Sequence, residues 1–187
     1  LEDSARSAIS VAVACGCAGI IVGVVTMTSL GLKMAGGIVA LAGGSLLLTM
    51  VFTMLCSIVL GMGVPTTANY IIQATISPPA LMALNVPALA AHLFVVYFGI
   101  VADITPPVAL AAFAGSGIAG SNPMKTGFNA TRLGIAAYLV PYMLVFNPVL
   151  VLVNVNNDPT WLFALLVLKA IVTAIIGMMG IATGFTG

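Results

Sequence analysis

Charge is scarce in this chain. Charged residues make up 5% of it, against roughly 25% in an ordinary soluble domain. Residues 34–91 carry none. No soluble globule of this size covers its surface with so few charges, so the chain reads as an integral membrane protein. The formal net charge of +1 offers nothing for nucleic acid to bind, and none is expected as a partner. Histidine is equally scarce. One histidine, His92, is too few for a metal site. Of three cysteines, Cys15 and Cys17 are two apart on an apolar run and do not face each other on a helix. Cys56 lies in another run. All three read as small packing residues. No P-loop, dinucleotide fingerprint or nucleophile–base set is present, which argues against an enzyme and against a bound cofactor.

What the chain has is long apolar runs. Each is judged against the ~20 residues that a membrane-spanning helix needs. Residues 7–32 make one span, with Gly19 and Gly23 in a GxxxG spacing that permits close helix contact. Residues 38–76 hold two apolar arms around Gly61-Met62-Gly63-Val64-Pro65-Thr66-Thr67. The second arm stops at Ser77-Pro78-Pro79 and is too short for an ordinary span. The stretch reads as a re-entrant hairpin, with two ordinary spans and a tight loop as the alternative. Residues 86–119 form a broken helix, with Pro87 suited to its first turn. Residues 133–153 and 160–182 are two further spans. Ser121–Arg132, between the broken helix and the span over 133–153, is the most polar internal loop. It carries Lys125 and Arg132 without an acid, which places it in the cytoplasm. Trp161 is an interfacial anchor for the last span. The expected class is therefore an all-α, multi-pass membrane protein with one domain over 1–187. The chain starts at Leu1 with no signal-peptide pattern and reads as a piece of a longer protein.

The chemistry collects at two interruptions. One is the hairpin tip, with Gly61, Gly63, Pro65, Thr66, Thr67 and Asn69. The other is Asp103-Ile104-Thr105-Pro106-Pro107. Pro107 has no N–H to donate and disfavours helical geometry in the residue before it. Freed backbone groups and a carboxylate at membrane depth are tolerated where protein or a polar cavity receives them. Hydroxyls, amide oxygens, carbonyls and one carboxylate suit a hard cation such as sodium. Thr66, Thr67, Asp103 and Thr105 are its candidate ligands. Half-helix ends at the bilayer centre offer a negative end to a cation and a positive end to a carboxylate. Lys169 lies eight residues into the last span. It reads as a snorkelling residue or the structural partner of Asp103, with a substrate contact as the alternative.

Three stretches carry a family resemblance: GMGVPTTANYII, HLFVVYFGIVADITPPVALAAFAGSGIAGSNPMKTGF and RLGIAAYLVPYMLVFNP. Over roughly residues 45–150 the chain closely resembles the large permease subunit of tripartite ATP-independent periplasmic (TRAP) transporters. It is most similar to the fused branch that works with TAXI-type binding proteins. The resemblance implies an inner-membrane protein that couples sodium influx to uptake of an organic acid. It implies a periplasmic binding protein and a small-subunit-like segment as partners. It also implies two inverted repeats that move as an elevator, this chain being the second. The tip and the break would then line a sodium site and the substrate cleft. Val64 stands where many relatives have an acidic residue. The alternatives are a proton-coupled carrier or channel using Asp103 and His92, and a non-transporting structural subunit.

Overall fold

A computed structural model describes residues 9, 13, 16, 17, 19–25, 27–154 and 159–186. Every regular element among them is helical. The α-helices are α1 (Leu30–Leu41), α2 (Leu46–Gly61), α3 (Thr66–Gln73), α4 (Pro78–Met82), α5 (Ala88–Val101), α6 (Leu110–Ala119), α7 (Pro123–Leu133), α8 (Ile135–Phe146) and α9 (Thr160–Thr186). Short 3₁₀ turns occupy Ala102–Ile104 and Pro148–Val151.

Glycine and proline set most of these edges. Gly43 and Gly44 adopt positive φ (+58° and +74°), which ends α1 and turns the chain into α2. Gly63 (φ +75°) and Pro65 (φ −54°) form the turn between α2 and α3. A side chain at Gly63 would strain that turn, whereas proline is already set for its own φ. Asn85 (φ +63°) and Pro87 lead into α5.

Helix α5 is the pillar of the fold. Ala90, Ala91, Phe94, Val95 and Phe98 are fully buried. Helices α2, α3, α4 and α8 all pack on it. Phe94 and Phe98 meet edge to face at 4.9 Å, and Tyr142 meets both rings, at 5.4 and 5.9 Å. These are favoured aromatic geometries. Helix α9 is the one described helix long and apolar enough to cross a membrane, over Thr160–Gly184. Most of its surface is unburied, and it lies along α8 and α7.

Besides the span expected over 133–153, where α8 stops at Phe146 and a 3₁₀ turn over Pro148–Val151 follows, the element edges depart from the sequence reading in three places. Of the span expected over 7–32, the first residues lie outside those described. Within the described part, a turn at Thr28 and Ser29 (φ +53°) intervenes, and α1 runs on to Leu41. The hairpin's first arm therefore begins at Leu46 rather than 38. The third difference is Ser121–Arg132, expected as a loop. Most of it is helix α7. Asn122 caps it, accepting from Lys125 N at 3.1 Å, and Pro123 fills its first position. Helix α7 lies against α6 and joins α8 at Gly134.

The cysteine and GxxxG readings have partial outcomes. Cys15 lies outside the described residues. Cys17 is exposed, and Cys56 sits 3.9 Å from the Ser77 hydroxyl. An added Cβ at Gly19 or Gly23 would meet nothing within 4 Å among the described residues.

Candidate functional site

The hairpin tip and the helix break come together around a cavity of about 290 Å³. Gly63, Val64, Pro65, Thr66, Asp103, Leu110 and Ala111 line it. The tip reaches this place because α2 packs tightly on α5. A Cβ at Gly61 would sit 2.9 Å from the Gly99 carbonyl oxygen and 2.9 Å from Ala102 Cβ. A Cβ at Gly99 would sit 2.6 Å from Asn69 Nδ2. Gly61 thus lies against the backbone of α5, and Gly99 against the buried Asn69 and Gln73 amides, so a Cβ at either position would force a shift.

Behind the tip lies a polar seam. Thr49, Thr53 and Ser57 recur every fourth residue on α2 and are fully buried, sharing one helix face. Gln73 reaches across from α3 and donates to the Ser57 carbonyl at 3.0 Å and to Asn69 Oδ1. Asn69 is therefore a buried structural amide and does not line the cavity. Thr67 is exposed and lies outside the lining. Of the tip residues, Gly63, Pro65 and Thr66 face the cavity, while Gly61 is buried against α5.

The break is longer than Asp103–Pro107. Regular α-helix is absent from Ala102 to Ala109, and the Pro106–Pro107 bond is cis. Asp103 is half-buried at the cavity wall, and its carboxylate has no hydrogen bond or ion pair among the described residues. The sequence offers Thr105 as a candidate ligand to a cation at the cavity. Instead its hydroxyl lies 2.6 Å from the Val101 carbonyl and 2.6 Å from the Tyr138 hydroxyl, and it does not line the cavity. Pro106 packs toward Gly127, where a Cβ would lie 3.2 Å from its Cγ. Pro107 is exposed.

Two further expectations separate from the site. Lys169 is exposed and makes no ion pair with Asp103. It lies by a cavity of about 170 Å³ with Asn147, Leu166 and Thr173. His92 bonds through Nδ1 to the Tyr70 hydroxyl at 3.1 Å. It sits nine residues before the C-terminus of α5, about 14 Å along the axis at 1.5 Å per residue. The structure does not bring His92 and Asp103 together.

The sequence reading missed Gln73, Gly99, Thr131 and Tyr138. A signal existed for the first. Hydroxyl residues every fourth position in an apolar run mark a face that needs a polar partner. Nothing local marks Thr131 or Tyr138 as neighbours of the break.

Chemically, the cavity joins a carboxylate, a hydroxyl and the free N–H groups of the α3 N-terminus, which starts at Thr66 with no side-chain cap. Asp103 and the adjoining C-terminal turn are negative, while the α3 N-terminus is partly positive. Such a site can hold a cation and an anion side by side.

A family model described as "Tripartite ATP-independent periplasmic transporter, DctM component" matches residues 1–158. No curated protein and no solved structure matches the chain.

Proposed function

Because the chain belongs to the tripartite ATP-independent periplasmic transporter family, as its DctM component, we propose that its cavity serves sodium-coupled uptake of an organic carboxylate. The family comprises inner-membrane permeases that perform secondary transport and are not enzymes. They work with a periplasmic substrate-binding protein and a small subunit.

The observation that carries the finer reading is the cavity shared by the tip and Asp103. In secondary transporters, sites form where interrupted helices meet at the membrane midplane. Asp103 and the Thr66 hydroxyl would hold sodium, with carbonyls of the tip completing an oxygen set. The carboxylate of the substrate would face the N–H groups of the α3 N-terminus. The α2–α3 hairpin is read as re-entrant, its arms of 16 and 8 residues meeting the break partway across a multi-pass domain. The resemblance of the three stretches supports a TAXI-type binding protein and an elevator-like movement of two inverted repeats.

The test is uptake into proteoliposomes by the full permease with its binding protein, screened over organic acids. Uptake should require sodium and stop when choline replaces it. Asp103→Asn should weaken sodium dependence while the protein still inserts. Uptake that follows a proton gradient and ignores sodium, or an Asp103→Asn variant with unchanged sodium affinity, would sink the reading.

A further inference from the structure

We infer that Thr131 and Tyr138 are positioning residues that hold the unwound segment 102–109 so that Asp103 faces the cavity. The inference rests on the reading of that cavity as the sodium site.

A helix interrupted for eight residues leaves carbonyls without their usual partners. Their bonds can be followed one by one. The Ala102 carbonyl accepts from Thr105 N at 3.2 Å, and the Thr105 carbonyl accepts from Ala109 N at 3.2 Å. The Val101 carbonyl accepts from the Thr105 hydroxyl at 2.6 Å. The Ile104 carbonyl accepts from the Thr131 hydroxyl at 2.9 Å, the shorter of the two contacts that share its single proton, the other being the Gly127 carbonyl at 3.1 Å. The bond to Ile104 comes from α7, a helix 27 residues further along.

Proton counting then fixes the direction at Thr105. A threonine hydroxyl has one proton, and the Val101 carbonyl can only accept. Thr105 must donate to Val101, so Tyr138 must donate to Thr105 Oγ1 across 2.6 Å. The phenol of α8 is thus the start of a two-bond chain ending on the last residue of α5. Bonds in such chains strengthen one another.

Steric contacts run alongside these bonds. A Cβ at Gly134, where α7 meets α8, would lie 2.8 Å from Ile104 Cδ1. Gly127 lies against Pro106, Phe113 and Ala109. Helices α7 and α8 therefore follow the break closely on one side, while the hairpin tip faces it across the cavity. Thr105 and Ile104 are held on the α7–α8 side. Asp103, just before them, is left to the cavity.

A purely structural role predicts less folded protein, or slower transport at every sodium concentration. A positioning role predicts a shift in sodium affinity. The experiment titrates sodium against uptake in proteoliposomes holding the full permease and its binding protein. Tyr138→Phe and Thr131→Val should each raise the sodium concentration for half-maximal uptake about twofold to tenfold, the factor of one lost hydrogen bond. Thr131→Ser keeps the hydroxyl and should restore the wild-type value. Tyr138→Phe keeps the ring that packs near Phe98, at 6.3 Å, so it tests the bond without emptying the core. Unchanged half-saturation in both variants, with only yield or maximal rate reduced, would overturn the inference and leave the sodium site standing. Thr131→Ser behaving like Thr131→Val would overturn the Thr131 assignment. Wild-type uptake indifferent to sodium would overturn both the site and its positioning residues.

Discussion

A single methyl group at Gly61 tests how the hairpin is seated. In Gly61→Ala the new Cβ would lie 2.9 Å from the Gly99 carbonyl oxygen, 2.9 Å from Ala102 Cβ and 3.0 Å from Asn69 Nδ2. Comfortable contacts between carbon atoms are about 3.5–4.0 Å. The first two neighbours are backbone of the buried pillar and the Cβ of Ala102 just after it, so neither can swing away. The tip must instead retreat from α5. Overpacking of this kind costs about 1–3 kcal/mol. The better helix preference of alanine opposes it by at most about 1 kcal/mol, and less at the final residue of α2. The clash wins, leaving a net loss of about 1–2 kcal/mol. For a domain of this size each kcal/mol moves the melting midpoint by about 2–4 °C. Gly61→Ala in the full permease should therefore lower its midpoint by about 2–8 °C and reduce uptake. Gly36→Ala is the control, because a Cβ there meets nothing within 4 Å among the described residues, and it should leave the midpoint level or slightly higher. A Gly61→Ala protein as stable and active as the wild type would refute the close seating of hairpin on pillar.

The polar seam and the α7 cap give two more outcomes. Gln73→Leu removes the donor to the Ser57 carbonyl and to Asn69 Oδ1 and should cost about 1–3 kcal/mol. Thermal unfolding of the full permease reads this, and an unshifted midpoint would count against the seam. Asn122→Ala removes the acceptor for Lys125 N and should destabilise the start of α7 by about 1 kcal/mol. Faster amide hydrogen exchange in its first turn would show the loss, and Asn122→Asp should exchange like the wild type.

The interruptions were legible because glycine and proline act on their own backbone. Gly63 and Pro65 mark the tip, and Pro106-Pro107 mark the break, without reference to any distant residue. The meeting of the two was inferred from their succession and is visible as the cavity between Thr66 and Asp103. What was not legible depends on partners far along the chain. Thr105 looked like a free ligand because its neighbour in space, Tyr138, is 33 residues away. Helix α7 looked like a loop because its composition is polar. Yet its local signals, Asn122 as a cap and Pro123 behind it, are those of a helix start, and they prevail over its polar composition. The start of α2 was misplaced because Gly43-Gly44 sits inside a continuous apolar run, and hydrophobicity alone does not reveal where one helix yields to the next.

The glycine face of α5 also limits how that helix can move. Advancing a helix by one residue turns it about 100° and shifts it about 1.5 Å. On α5 such a screw would carry Phe98 toward the place of Gly99, where even a Cβ would stand 2.6 Å from Asn69 Nδ2. It would also unseat Phe98 from Tyr138 and Tyr142. In kinematic terms, rotation of the pillar about its own axis is forbidden from both sides at once. Tilting and rigid translation together with the hairpin remain as its degrees of freedom.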